Sequence, residues 1–217
     1  MFYKYAAPTA LWCAPGKISA LTRWTFFTRC LNLLLTMSKQ LENIDADLAA
    51  WIAQQRLFFV ATAPLTPNGH INTSPKGGEA FRILGPMEVV YQDYTGSGAE
   101  TAAHLRENGR IVIMFCAFEG PPKIVRLHGR GTVITPDHPR FVEMAAHFPA
   151  NPGTRAFIHI AVRRVSASCG FSVPFFDYRE HRTTLDDWAA KQGPEKIQEY
   201  RAGKNQKSID GLPAFEV

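Results

Sequence analysis

The chain reads as a mainly β domain: a small closed barrel of about six antiparallel strands with helices packed outside. Three observations carry this expectation. Strand-like segments dominate residues 57–165, and most are joined by short turns. The helices between them are few and short, whereas a doubly wound parallel sheet needs strand and helix in steady alternation. At 46% hydrophobic, the 217-residue chain has enough apolar side chains for one real core.

The elements follow in order. Leu41, Ile44, Leu48, Trp51 and Ile52 recur at helical spacing and predict an amphipathic helix over 41–55. "LFFVATA" (57–63) and "HINTSP" (70–75) are strand-like and flank "PLTPNG", whose Asn68-Gly69 is a hairpin signal. "FRILG" and "MEVVYQD" follow, also extended. A helix is expected at 98–108, then strands "RIVIMFCAF" (110–118) and "KIVRLHGRGTVI" (123–134) around the turn "EGPP". Thr135, Pro136 and Asp137 are start signals for a helix at 137–148. "RAFIHIAVRRV" (155–165) is a last long strand. Beyond it come the loop "SASCGFSVPFFDY", two short helical stretches at 184–203 with Trp188 as a packing anchor, and an unstructured tail.

The net charge of +5 belongs to one end. Lys4, Lys17, Arg23, Arg29 and Lys39 precede the first acid, Glu42, and account for the whole excess. The domain itself is balanced, which argues against a nucleic-acid partner. Residues 1–37 read as an N-terminal extension, either a mitochondrial transit peptide or an upstream stretch with no role in the fold, with Met37 as the alternative start. Residues 38–217 form the domain. A chain beginning at Met37 is expected to melt within a few degrees of the full chain. No uninterrupted apolar run reaches about 18 residues, so no membrane span is expected. Cys13, Cys30, Cys116 and Cys169 form no C-x-x-C pair, and the seven histidines show no metal spacing. A reducing compartment, the cytoplasm unless the extension is a transit peptide, follows.

The stretch "YTGSGAETAAHLRENGR" (94–110) carries the chemistry. A small-residue turn opens into a helix, whose first amides suit an anion. Yet no lysine or arginine lies between Gly85 and Arg106. "GSGAET" lacks the third glycine of a dinucleotide fingerprint, and no Walker lysine follows. The bland alternative is that Gly96 and Gly98 shape a turn and Ser97 caps the helix. His104, on the second turn of that helix, is expected at the surface or an interface.

In this order and spacing the motifs resemble the pyridoxamine 5′-phosphate oxidase-like family of FMN-binding split barrels, closely over about residues 57–134. Tyr94-Thr95 stands where that family carries a Tyr-Thr pair ending a strand, before a Ser-rich turn and a helix whose leucine is Leu105. "ENGRIVIMF" is similar to its Glu-Asn-Pro-Arg and apolar strand, with Gly109 replacing the proline. "VRLHGRG" matches its Val-Arg-Val-Glu-Gly-Arg strand at Val125, Arg126, Gly129 and Arg130. "NTSPKGG" looks like its strand end with a phosphate-binding lysine, here Lys76.

The resemblance implies a six-stranded antiparallel split β-barrel of FMN-binding type, with FMN as cofactor held between the subunits of a homodimer. Carried over residue by residue, the cofactor contacts are Ser74, Lys76, Tyr94 and Thr95, with Ser97, Gly98, Thr101 and Arg126. Lys76 is expected beside the turn, supplying the positive charge the turn lacks. Of Arg126 and His128, one is expected to reach flavin edge or substrate while the other faces away. Lys204, Asn205, Ser208 and Asp210 form a polar cluster in the tail and are candidates for a substrate lid. "FSVPFFDY" is a candidate interface element.

Glu100 and Thr101 stand where the oxidase proper carries Arg-Lys, and Ile124 where its flavin-bonding glutamine stands. Its C-terminal Trp and Arg-Leu-His signature has no counterpart in place, "RLH" at 126–128 lying on a barrel strand. A branch distinct from the oxidase proper is therefore expected. The function read from this is an FMN-dependent oxidoreductase acting on a small molecule. The alternative is a non-catalytic module holding flavin or haem for storage or sensing, haem requiring an axial ligand such as His128, His159 or Cys169.

Overall fold

The computed structural model describes residues Lys39 to Glu216, so the N-terminal extension 1–37 and its two cysteines lie outside the described residues. Eight strands and four helices follow one another. They are β1 (Lys39–Leu41), α1 (Ala46–Ala53), β2 (Leu57–Thr62), β3 (Asn72–Gly77), β4 (Phe81–Gly85) and β5 (Glu88–Tyr94), then α2 (Glu100–Asn108), β6 (Arg110–Cys116) and β7 (Ile124–Ile134). α3 (Phe141–Ala145), β8 (Thr154–Ser168) and α4 (Thr184–Lys204) complete the order.

All strands pair antiparallel, in the order β3-β2-β6-β7-β8-β5-β4, with β1 on β8. The expected closure is incomplete. The path ends in two edge strands, β3 and β4, which are not hydrogen-bonded to each other. The sheet nevertheless curls until its ends face. Phe58 of β2 and Phe81 of β4 are five strands apart, yet their ring centroids lie 5.2 Å apart. Phe115 and Tyr91 complete this aromatic interior, surrounded by Val60, Ile113, Leu127 and Ile158, all essentially without solvent contact. The architecture is a split barrel, mainly β with flanking helices.

Three expectations need correction. Eight strands form where about six were expected, and Leu41 belongs to β1 rather than to the first helix. β8 pairs with β5 only over Thr154–Ala161, leaving its second half an open edge that residues 39–41 cover. The helix then starts at Ala46, where the Asp45 side chain accepts from the Leu48 amide at 2.8 Å. The helix expected at 137–148 shrinks to five residues. Pro139 drives His138 away from helical geometry, and turns bonded to Thr135 and His138 replace its first half. The C-terminal tail is ordered, not unstructured. α4 breaks at Gly193, with φ 74°, just before Pro194, giving the two stretches expected. Trp188 and Tyr200 pack edge to face across that break.

Among the described residues no helix is long and apolar enough to cross a membrane.

Candidate functional site

β5 delivers its chain end at Tyr94 into the turn Thr95–Ala99. Thr95 is fixed there, its amide and hydroxyl both donating to the Gly153 carbonyl, at 2.8 and 2.9 Å. The N-cap of α2 is Ala99, and no side chain caps the helix. Ser97 therefore does not play the capping role of the bland alternative, and the first α2 amides are left for another acceptor. At its far end α2 stops on Gly109, whose φ of 69° no proline adopts; the family's proline is absent for a backbone reason. α2 lies close on β7 because Gly131 has no Cβ, which would meet the Leu105 methyls at 2.9 Å.

The positive charge missing from the turn arrives from three other elements. Lys76 of β3 reaches the Asp93 carboxylate at 3.3 Å. Arg155, opening β8, donates twice to the other Asp93 oxygen, at 3.0 and 2.8 Å, and once to the Gly98 carbonyl at 2.9 Å. Arg201, on α4, donates to the Thr95 hydroxyl at 2.9 Å and to the Thr154 carbonyl at 2.8 Å. Two cations thus pair with one buried carboxylate, and a third sits on the turn beside them. Burial alone pushes the Asp93 acid up, but Arg155 and then Lys76 outweigh it and hold it below the ordinary carboxylate value. Burial lowers Arg201, and nearby Arg155 adds to the effect.

A buried polar layer lies beneath. The Tyr91 hydroxyl is fully buried near Thr101 without a well-formed hydrogen bond, and the Lys76 ammonium sits 5.6 Å from the ring centroid. Burial, with Asp93 next, pushes this phenol well above its ordinary value. Asn72 donates to Thr101 at 3.0 Å and to Thr62 at 3.2 Å, and accepts from Ser74 at 2.9 Å. Thr62 in turn meets His104 Nδ1 at 3.0 Å. His104 is wholly buried, not at the surface as its helical position suggested; burial keeps it below its ordinary value, hence neutral. The Tyr94 hydroxyl donates to Gln92 at 3.0 Å.

The structure thus brings Ser74, Lys76, Thr95, Ser97, Gly98 and Thr101 to one place. Arg126 and His128 lie elsewhere. Residues two apart on a strand share a face, so neither turns away from the other as expected. Their β7 positions pair with Ser166 and Arg164, whereas the turn lies beside the Ile134 end, roughly 20–26 Å along the strand. Arg126 donates to Ser168 at 3.2 Å, and His128 is lowered by burial and then by Arg164 and Arg126. Of the haem-ligand candidates, His159 is bound to Glu88 at 2.5 Å and Cys169 follows β8 as a free thiol.

The tail candidates divide. Lys204 is exposed at the end of α4. Asn205 is fully buried and donates to the Gly96 carbonyl at 2.8 Å. Ser208 is buried within the tail and accepts from the Leu212 amide. Asp210 takes the His70 amide at 2.8 Å and its ring nitrogen at 2.6 Å. Ala214 and Phe215 pack on Ala99, Ala102 and Ala103.

Asp93, Arg155 and Arg201 escaped sequence reasoning. The one available signal was an acid closing the apolar run "VVYQD", which a buried strand tolerates only with a partner.

A family model described as pyridoxamine 5′-phosphate oxidase matches residues 44–169, more than half of the chain. The pyridoxamine 5′-phosphate oxidase family protein ustO of Aspergillus flavus is 37% identical over 193 residues, covering 80% of this chain and 76% of that protein. Among solved structures, a putative pyridoxamine 5′-phosphate oxidase from Lactobacillus delbrueckii aligns at 16% identity and TM-score 0.43, over 58% of this chain and 98% of its own. HupZ of Group A Streptococcus aligns at 23% and 0.45, over 56% and 91%. The family match spans β2 to β8 and so includes Lys76, Asp93, the turn and Arg155, and the fungal relative extends it at substantial identity: the chain belongs to the pyridoxamine 5′-phosphate oxidase family.

Proposed function

We propose that this protein is an FMN-binding flavoprotein and an oxidoreductase acting on a small molecule. One observation carries the reading. Lys76 and Arg155 share the single carboxylate of Asp93, and Arg155 and Arg201 reach the turn that opens a helix no side chain caps. A phosphate dianion would offset the surplus and accept the free amides. The buried Tyr91 hydroxyl, the Lys76 ammonium over its ring and the small-residue turn fit the same group. Glu100, the acid at this helix end, is turned to the tail, where it accepts from the Ile209 amide at 3.2 Å. The residues present therefore fit a phosphate-bearing cofactor.

A bound flavin would supply the hydride or electron transfer. The chain's part is to hold it. Lys76 brings charge from β3, Ser97 and Gly98 offer hydroxyl and amide, and Asp93 keeps Lys76 and Arg155 aimed. The hydroxyl–imidazole pair of Thr62 and His104 is sealed in the buried layer, away from solvent. The purified protein is expected to be yellow, with the two-banded visible absorption of a flavin; a colourless protein that takes up neither FMN nor riboflavin would sink this reading.

The protein is further proposed to act as a homodimer. Phe171, Phe175 and Phe176 are 63, 79 and 59% exposed, three large apolar side chains facing water within six residues. β3 and β4 also leave open edges. Light scattering at micromolar concentration should return the mass of two chains, and the mass of one would refute the pairing.

A further inference from the structure

Arg201 lies 106 residues from Thr95 in sequence, yet its guanidinium sits on the turn. Its Nε and Nη2 are used by Thr95 and Thr154, and among the described residues its remaining nitrogen has no protein acceptor. It has no carboxylate of its own either. Asp93 spends one oxygen on Lys76 and the other on Arg155. A half-buried cation beside a second cation, with no carboxylate of the described residues in ion-pair contact and only Asp93 nearby, is a costly arrangement unless an anion joins it. The same turn carries the uncapped start of α2, a nine-residue helix, and the fully buried Tyr91 hydroxyl, without a well-formed hydrogen bond, lies near Thr101 in the first turn of that helix.

The segment after Arg201 continues the contact. Asn205 donates to the Gly96 carbonyl, Ile209 to Glu100, and the Phe215 ring lies 4.5 Å from the Arg155 guanidinium carbon. Asp210 clamps the segment to His70. We infer that Arg201 is a direct ligand of the anion at the turn, replacing the cations absent from positions 100 and 101, and that the segment Arg201–Phe215 tightens over the turn when the anion binds. This rests on reading the turn as an anion site, but it does not require that the anion belong to a flavin.

The test uses the full chain, with hydrogen exchange of residues 205–216 followed with FMN, with riboflavin and with millimolar inorganic phosphate. FMN and phosphate should slow exchange at the Ile209 and Phe215 amides about tenfold or more, and riboflavin should not. Arg201→Met should reduce the FMN-to-riboflavin affinity ratio at least tenfold, with Arg201→Lys recovering part of it. Asn205→Ala, which loosens the segment without touching charge, should speed exchange of the tail and weaken FMN more than riboflavin. Should Arg201→Met not fold, the Asn205→Ala result and the exchange data decide. A wild-type affinity ratio in Arg201→Met, or tail exchange indifferent to both FMN and phosphate, would overturn the inference. Protection by phosphate in a protein that binds no flavin would keep the clamp and remove the FMN reading.

Discussion

Lys76→Met is expected to weaken FMN by roughly 10- to 150-fold and to leave riboflavin nearly unchanged. The substitution removes one charge-assisted hydrogen bond to the phosphate, worth about 1.5–3 kcal/mol, and about 1.4 kcal/mol corresponds to a tenfold change. The geometry sharpens the expectation. Lys76 is only partly exposed and also neutralises one oxygen of Asp93. Without it, Asp93 stands less compensated near the phosphate, so the loss should fall toward the upper end. Ser97→Ala removes a neutral bond and should cost less, about 0.5–1.5 kcal/mol. Titration of flavin fluorescence against both variants reads the difference. If riboflavin weakens as much as FMN, Lys76 serves Asp93 alone and the phosphate lies elsewhere.

The second large effect concerns stability. Arg155→Met leaves the Asp93 carboxylate buried with Lys76 as its remaining cation, and breaking a buried pair from one side costs about 3–5 kcal/mol. For a domain of this size that corresponds to a melting temperature lower by roughly 6–20 °C. The pH dependence gives a separate check. Although burial raises it, Asp93 is held below its unfolded value by Arg155 and Lys76, so it contributes stability at neutral pH. That contribution is present above the unfolded value of about 4 and is lost as pH falls through the lower folded value. The gap between wild type and Arg155→Met should therefore be widest near neutrality and shrink below about pH 4, as urea unfolding at a series of pH values would show. A gap independent of pH would mean that Arg155 acts through its packing on Phe215 and its bond to Gly98, not through Asp93.

Local patterns made much of the fold legible. Strand-like runs bounded by turns located β2 to β8 within a few residues, and in β2, β6 and β7 the burial alternates because one face of each lies on the core. A three-residue strand such as β1 has no alternation to read, and only the unpaired half of β8 explains why residues 39–41 are extended. The start signals Thr135, Pro136 and Asp137 point to a helix, but the second proline, Pro139, disfavours helical geometry at His138 and delays the helix to Phe141.

The candidate site divides along the same line. Thr95 to Thr101 is contiguous in the chain, and a small-residue turn before a helix is visible in any reading of it. Lys76 was found through its motif. The sequence alone thus determined the strand-rich class, the turn and the absence of a lysine or arginine between residues 85 and 106, and the family resemblance singled out Lys76. Tertiary structure decided where the charge comes from. Asp93 and Arg155 meet across 62 residues, and Thr95 and Arg201 across 106. It also decided that His104 is buried and that the tail is folded onto the turn. The physical reason is that a hydrogen bond or ion pair depends on distance in space, whereas propensity and periodicity act over a few neighbouring residues. Only the curling of the sheet brings β3, β5, β8 and α4 to the same end of the barrel.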